Sequence, residues 1–354
     1  MKTSLRNISS PRAGIGALLF SVFTVIISNA AANAAAGAAP ASALPKPKSA
    51  HALSYSELLA QSKPADWRGL DLENTLVMEL DTSPVRRLII ELAPNFAPLH
   101  ATNIKKLVRD KYFDGLHILR SQDNYVVQWG EADVDAAPAA TGATTAAKAI
   151  TTPKRDLKSA AASLPPEFTR PYSAQSGFPA YPFTKLPDVD GYAKEVGFSA
   201  GFPMGRDSVR KQAWLTHCYG MVGVGRDNAL DSGNGSEMYV VTGHAPRHLD
   251  RNIAVVGRVV SGMSDVSSLP RGTREMGFYA SAEYRVPIAT IRIAADLAKE
   301  AQPRLEIVNT ESALFAKLVD ALRNRGKGVP NSWFTEPAGH VELCNMALAT
   351  REKK

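Results

Sequence analysis

Tyr112-Phe113-Asp114-Gly115-Leu116-His117-Ile118-Leu119-Arg120, followed shortly by Tyr125-Val126-Val127-Gln128-Trp129-Gly130, is the stretch on which the fold turns. Its apolar runs read as a strand pair, Leu116 to Arg120 and Tyr125 to Trp129. One arginine, Arg120, stands among apolar neighbours at a strand end. Such a charge is costly to bury unless it is paired or working. From the residues alone, a structural salt bridge and a ligand-facing role both remain open.

Upstream, Thr75 to Leu80 (TLVMEL) and Arg87 to Leu92 (RLIIEL) flank the turn cluster Asp81-Thr82-Ser83-Pro84 and predict a hairpin. Between hairpin and strand pair, Leu99, Ile104, Leu107 and Val108 recur at helical spacing from Phe96 to Lys111, with Pro98 suited to the first turn. A short helix fits Ser54 to Gln61. Downstream, about 133–162 is an Ala, Thr, Pro and Lys stretch without periodicity, which reads as a mobile surface insertion. Residues 164–212, rich in Pro, Gly, Phe and Tyr, read as an ordered but irregular loop system. Strands are expected again at Trp214 to Val224, Glu237 to Thr242, Ile253 to Val260 and Ile288 to Ile293, with a short helix at Met263 to Leu269. An amphipathic helix is expected over Ile307 to Arg323, then an irregular end with a basic tail. Six to eight short strands with one early and one late helix predict a mostly β fold: a closed antiparallel barrel plugged by helices, with an irregular insertion and a partly helical C-terminal extension.

The chain of 354 residues is 45% apolar and 21% charged, so a packed core is expected and wholesale disorder is excluded. Its first thirty residues carry Lys2, Arg6 and Arg12, then an uncharged run from Ala13 to Ile27, then small residues up to Ala34. That order is the order of a secretory signal. The run of about 15 residues is short for a membrane span. We therefore expect residues 1–30 to be a cleaved signal, with cleavage after Ala30 or Ala34, residues 31–50 to be an Ala/Pro-rich linker, and the mature protein to be periplasmic. An uncleaved anchor is the alternative. Without those three basic residues the balance is 38 bases against 34 acids, too even and scattered to argue for nucleic acid. Two cysteines, Cys218 and Cys344, exclude a disulfide-dense fold and a four-cysteine zinc site, and leave one disulfide or two buried thiols open.

The order of these blocks resembles the cyclophilin family of peptidyl-prolyl cis-trans isomerases. The resemblance runs through LIIELAPNFAPLHATNIKKLV, YFDGLHILR, YVVQWGEAD, Glu167-Phe168, YGMVGVGRD, GSEMYVVTG, HLDRNIAVVGRVVSGM and IATIRIAADL. It covers about 75–132 and 164–298, making 51–298 the cyclophilin-like domain and 299–354 an extension. It implies that Arg120 is the catalytic arginine and Gln128 the glutamine that orients it. Tyr125 and Val126 would line the proline pocket, and Met221, Val222 and Gly223 would lie on a strand whose backbone pairs with bound peptide. Glu237 and Tyr239 fall on a glutamine and a phenylalanine of the site, Leu249 on the leucine that closes the pocket, and His248 on a position held by tryptophan or histidine.

The departures are specific. Glu237 replaces glutamine and Tyr239 phenylalanine; Leu119 and Ile253 stand where histidines are common; Trp129 replaces a glycine beside Gln128; and one extra residue lies between Tyr239 and Leu249. The resemblance implies a monomeric isomerase acting on proline-containing polypeptides, with no cofactor, no metal, no nucleic acid and no membrane contact after signal cleavage. A catalytically weak or inactive peptide-binding module or chaperone is the alternative. Three further signals count for little. His244, His248 and Asp250 are interrupted by Pro246, Gly220 to Gly225 lacks the lysine of a phosphate loop, and Gly233-Asn234-Gly235-Ser236 reads as a turn.

Overall fold

The computed structural model describes residues 52–131, 154–171, 180–329 and 332–353. The signal, the linker and most of the expected insertion lie outside the described residues. In chain order the helices and strands are α1 (Tyr55–Ala60), β1 (Trp67–Gly69), β2 (Thr75–Leu80), β3 (Arg86–Leu92), α2 (Pro98–Arg109), β4 (His117–Ser121), β5 (Val126–Gly130), β6 (Arg170–Pro171), β7 (Thr184–Lys185), β8 (Glu195–Ser199), β9 (Phe202–Asp207), β10 (Gln212–Leu215), β11 (Met221–Val224), β12 (Met238–Val241), β13 (Val255–Ser261), α3 (Met263–Ser267), β14 (Val286–Ile293), β15 (Leu305–Val308), α4 (Ala313–Arg323) and β16 (Thr350–Glu352).

Strand alternation builds the barrel. Leu76, Met78 and Leu80 on β2 and Leu88, Ile90 and Leu92 on β3 point one way and are buried with Val127, Trp129, Val222, Val224, Met238 and Val240. The strands close in the order β11-β12-β5-β4-β14-β2-β3-β13, each neighbouring pair antiparallel. The same core takes in Ala101, Ile104, Leu107 and Val108 of α2 and Val266 of α3. Those two helices are the plugs. The first turn of α2 leaves backbone N–H groups without partners inside the helix. A distant carboxylate takes them: Glu167 accepts from the Leu99 and His100 amides at 3.0 and 2.9 Å, and from His100 Nδ1 at 2.6 Å.

A second core lies on the outer face of the barrel. Val126, Met221, Tyr239, Val241 and Val255 pack there with Val196, Phe198, Phe202, Met204, Ala213 and Leu215 and with Leu314, Phe315, Leu318 and Val319 of α4. The partners form a five-stranded sheet, β6-β10-β9-β8-β7. A third, small sheet runs β1-β15-β16.

Four expectations change here. Residues 164–212 are not an irregular loop system, since all five strands of the second sheet begin within them. Two of their glycines, Gly197 and Gly205, are strand positions over which neighbours lie. A Cβ at Gly197 would collide with Thr184 and Lys185, and one at Gly205 with the Trp214 indole. The expected single strand over Trp214 to Val224 is two: β10 belongs to the second sheet and β11 to the barrel, and the turn between them carries His217 and Cys218. The late helix starts only at Ala313, with the Ser312 side chain as its cap. Its first expected residues are β15, and it packs in the second core instead of plugging the barrel. The end of the expected insertion, 154–162, is bound down: Arg155 Nη1 donates to the Tyr112 and Asp114 carbonyls at 2.6 and 2.8 Å, and Ser159 Oγ to Asp110 at 2.6 Å.

Cys218 and Cys344 form a disulfide across 126 residues of sequence. It ties the C-terminal segment, with Val341, Leu343 and Met346 in the second core, to the turn before β11. Closing so long a loop constrains the unfolded chain. We expect Cys218→Ala with Cys344→Ala to cost up to about 5 kcal/mol in the chain-entropy picture. Urea unfolding measures this, and an unchanged midpoint would contradict it.

Candidate active site

β4 and β5 present the site. Arg120 lies opposite Gln128 in their ladder, and the register shifts between Ile118 and Arg120, so Leu119 is an extra residue that re-aims the strand end. Arg120 is only 7% exposed. Its Nη1 donates to Gln128 Oε1 at 3.0 Å, its Nη2 to Gln122 Oε1, and its Nε to the Met276 carbonyl at 2.6 Å. The rings of Tyr125 and Phe278 each lie 5.4 Å from its guanidinium carbon. Burial lowers the pKa of Arg120, against the pull of Tyr125 and Glu237. It stays a cation at neutral pH, because a guanidinium starts so far above it.

Glu237 takes a defined role. Gln128 Nε2 donates to Glu237 Oε1. A carboxylate can only accept, so the Gln128 nitrogen must face Glu237 and its oxygen must face Arg120. Arg120, which can only donate, demands the same orientation of the Gln128 amide. Glu237 therefore reaches Arg120 through Gln128. Trp129 takes no part: it is fully buried inside the barrel, on the opposite face from Gln128.

The apolar side of the site is Tyr125, Val126, Tyr239 and Leu249. Tyr125 is half-buried, its hydroxyl 3.3 Å from His248 Nε2 and its ring stacked on the imidazole at 5.8 Å. His248 Nδ1 faces the Ala245 carbonyl at 2.8 Å and so carries the proton there. Val126 and Tyr239 are buried, and Leu249 is half-buried at the end of a 3-10 turn.

Tyr239 opens a network that sequence reading missed. Its hydroxyl lies 2.8 Å from His217 Nε2, with the two rings stacked. His217 Nδ1 faces Asp250 Oδ1 at 2.9 Å, Arg247 Nε donates to Asp250 Oδ2 at 2.9 Å, and Arg247 Nη2 donates to Asp190 at 2.8 Å. The Asp250 carboxylate only accepts, so in the neutral imidazole Nδ1 donates to it and Nε2 accepts the Tyr239 hydroxyl. Burial pushes the Tyr239 pKa up, with Tyr125 and Asp250 adding to it, and the phenol stays protonated. A signal for His217 was present. A tyrosine in place of phenylalanine brings a buried hydroxyl, which must find a partner. Asp250 and His248 serve different partners, which dissolves the His244, His248 and Asp250 grouping.

One expected role falls at an irregular strand pairing. Met221, Val222 and Gly223 lie on β11, which is paired on one edge with β12 and on the other with β13. The pairing with β13 shifts register between Val222 and Gly223, so the ladder is irregular where the peptide contact is expected. Val222 faces the barrel interior and Met221 the second core. Gly223 matters by being small, since a Cβ there would collide with the Tyr239 phenol.

Arg120, Gln128 and an apolar cluster thus stand together on the wall of a closed eight-stranded barrel. The family model described as cyclophilin type peptidyl-prolyl cis-trans isomerase/CLD matches residues 77–294, more than half of the chain, and the chain belongs to that family. Its enzyme class is accordingly peptidyl-prolyl cis-trans isomerase. Among solved structures, the cyclophilin AquaCyp293 from Hirschia baltica is similar at 20% identity and a TM-score of 0.56, covering 84% of this chain and 98% of its own. A Cryptosporidium parvum cyclophilin-type isomerase, crystallised in the presence of the dipeptide Ala-Pro, is similar at 10% identity and a TM-score of 0.34, covering 61% of this chain and 98% of its own. Comparison with curated proteins gives no match.

Tyr239→Phe removes a hydroxyl and leaves the buried His217 Nε2 without its partner. We expect a loss of about 1–3 kcal/mol, read from urea unfolding midpoints. A variant as stable as the parent would contradict the pairing.

Proposed function

We propose that this chain isomerises prolyl bonds in exported proteins, with Arg120 stabilising the twisted amide. The observation that carries this is the donor balance at Arg120. A guanidinium has five N–H donors. Gln128, Gln122 and the Met276 carbonyl take three, leaving one on each terminal nitrogen.

Rotation about an X-Pro bond meets a barrier of roughly 18–20 kcal/mol because the amide is conjugated. As the bond twists, the proline nitrogen becomes pyramidal and gains a lone pair. A cation that keeps its protons favours that state over the planar one and holds the neighbouring carbonyl. Tyr125, Val126, Tyr239 and Leu249 are the apolar cup for the ring, with His248 at its rim. Gln128 holds Arg120 in plane, and Glu237 holds Gln128. The reaction itself asks for no nucleophile and no redox group.

Two observations support an exported setting: the basic, apolar, small order of residues 1–34, and the disulfide, a bond that persists in oxidising compartments. The clients are then proline-containing polypeptides of the periplasm. A second reading, a peptide-binding module that does not catalyse, is favoured by Glu237, a carboxylate in contact with Gln128 where the resemblance expects a glutamine.

Exchange NMR on an alanyl-prolyl peptide separates the two. We expect the parent protein to accelerate cis-trans exchange and Arg120→Ala to lose about 10²–10³ of that rate, the scale of removing a transition-state donor. A folded parent protein that binds the peptide without accelerating exchange would establish the second reading.

A further inference from the structure

Strand β14 pairs with β4 only at His117 and Ile118. Beyond Ile118 that edge of β4 passes to another segment, 272–279. The Tyr279 amide donates to the Leu119 carbonyl at 3.1 Å and the Gly272 amide to the Ser121 carbonyl at 2.9 Å, and Phe278 forms a bridge with Arg120 itself. The segment folds back on itself: the Gly277 amide donates to the Arg274 carbonyl, and the Arg274 amide to the Phe278 carbonyl, both at 3.0 Å. Tyr279 Oη anchors it to the Pro270 carbonyl at 2.8 Å.

The backbone within this segment is strained at one place. Met276 has φ 57°, a left-handed conformation that costs a non-glycine residue of order 1 kcal/mol, and its side chain is 56% exposed. That conformation aims the Met276 carbonyl at Arg120 Nε. Gly277 follows at φ 79°, where a Cβ would collide with Gln122, the residue that accepts from Arg120 Nη2. The strain and the missing side chain bring one carbonyl and one ring onto the same guanidinium.

We propose that 272–279 is an active-site clamp, in which the Met276 carbonyl and the Phe278 ring are positioning groups for Arg120. They act through Arg120 and not on the substrate. The clamp takes the Nε donor, which points along the side chain, and leaves one donor on each terminal nitrogen for the amide. Phe278 covers the guanidinium, which keeps water from those donors and limits rotation of the plane. The inference rests on the proposed role of Arg120 and adds to it the residues that hold the cation in register.

The test uses the full chain, labelled with ¹⁵N, and reads both turnover and the Arg120 Nε–H resonance, assigned by its loss in Arg120→Ala. The clamp predicts a resolved, slowly exchanging Nε–H in the parent protein. In Phe278→Ala it predicts exchange at least about tenfold faster and kcat lower by about 10- to 100-fold, with KM changed less than about threefold, as for a misplaced catalytic group. Phe278→Tyr, which keeps a ring, should recover most of kcat. Gly277→Ala gives a second disruption should Phe278→Ala fail to fold. Unchanged Nε–H exchange in both variants would overturn the clamp, and so would a rise in kcat, which would make the segment a brake. A parent protein without turnover sinks the isomerase reading alone, because the Nε–H signal still decides whether the segment holds Arg120.

Discussion

A guanidinium set into a barrel wall is the constraint from which the site follows. A cation 7% exposed is expensive unless its donors are met. Gln128, Gln122 and the Met276 carbonyl meet three of them, and two aromatic rings cover its faces. Each partner is then constrained in turn. Gln128 must turn its oxygen to Arg120, which sends its nitrogen to Glu237. Met276 must enter the left-handed region, and the next residue must be glycine. Glutamate at 237 thus adds a charged acceptor to an amide orientation that Arg120 already sets.

The apolar side depends on a different set of pairings, and these tie the barrel to its additions. Tyr239 is held by His217, His217 by Asp250, and Asp250 by Arg247, which also binds Asp190 and reaches Cys344 Sγ at 3.7 Å. The floor of the cup is therefore continuous with the disulfide between Cys218 and Cys344. A second buried junction joins all three sheets. Glu91 on β3 accepts from Arg258 on β13 and from Arg68 on β1, while these arginines also reach the Gly201 and Ala200 carbonyls of the β8–β9 turn. Burial pushes the Glu91 carboxyl up, but Arg258 and Arg68 outweigh it and hold the carboxyl below its ordinary value. The extension is part of the packing, not an appendage to it.

The barrel was legible in the sequence because its strands alternate cleanly. TLVMEL and RLIIEL send every second residue, Leu76, Met78 and Leu80 and Leu88, Ile90 and Leu92, into the barrel core, and the spacing from Arg120 to Gln128 places the two opposite each other across a hairpin. The second sheet was not legible. Gly197 and Gly205 read as turn signals, although they sit in strands whose neighbours cover the backbone. The break between β10 and β11 was hidden because Thr216 to Gly220 lies between two apolar runs and its turn is set by distant partners, Asp250 for His217 and Cys344 for Cys218. The clamp carried no signal either: a carbonyl aimed at a guanidinium is a property of backbone geometry, and Met276 and Phe278 are ordinary loop residues by type. The pairing of Met221 to Gly223 with both β12 and β13, and its register shift between Val222 and Gly223, come from barrel closure, which no local pattern reveals.

In the proposed mechanism a planar fork of donors, not a positive charge alone, performs the work. Arg120→Lys keeps the charge and removes the fork. A lysine has no second terminal nitrogen with which to satisfy Gln128 and Gln122 and still face the amide. Exchange NMR on the alanyl-prolyl peptide with folded Arg120→Lys is the direct measurement. We expect a rate lower by at least about 10²-fold, the scale of losing a transition-state donor. A lysine variant that keeps more than about a tenth of the parent rate would contradict it.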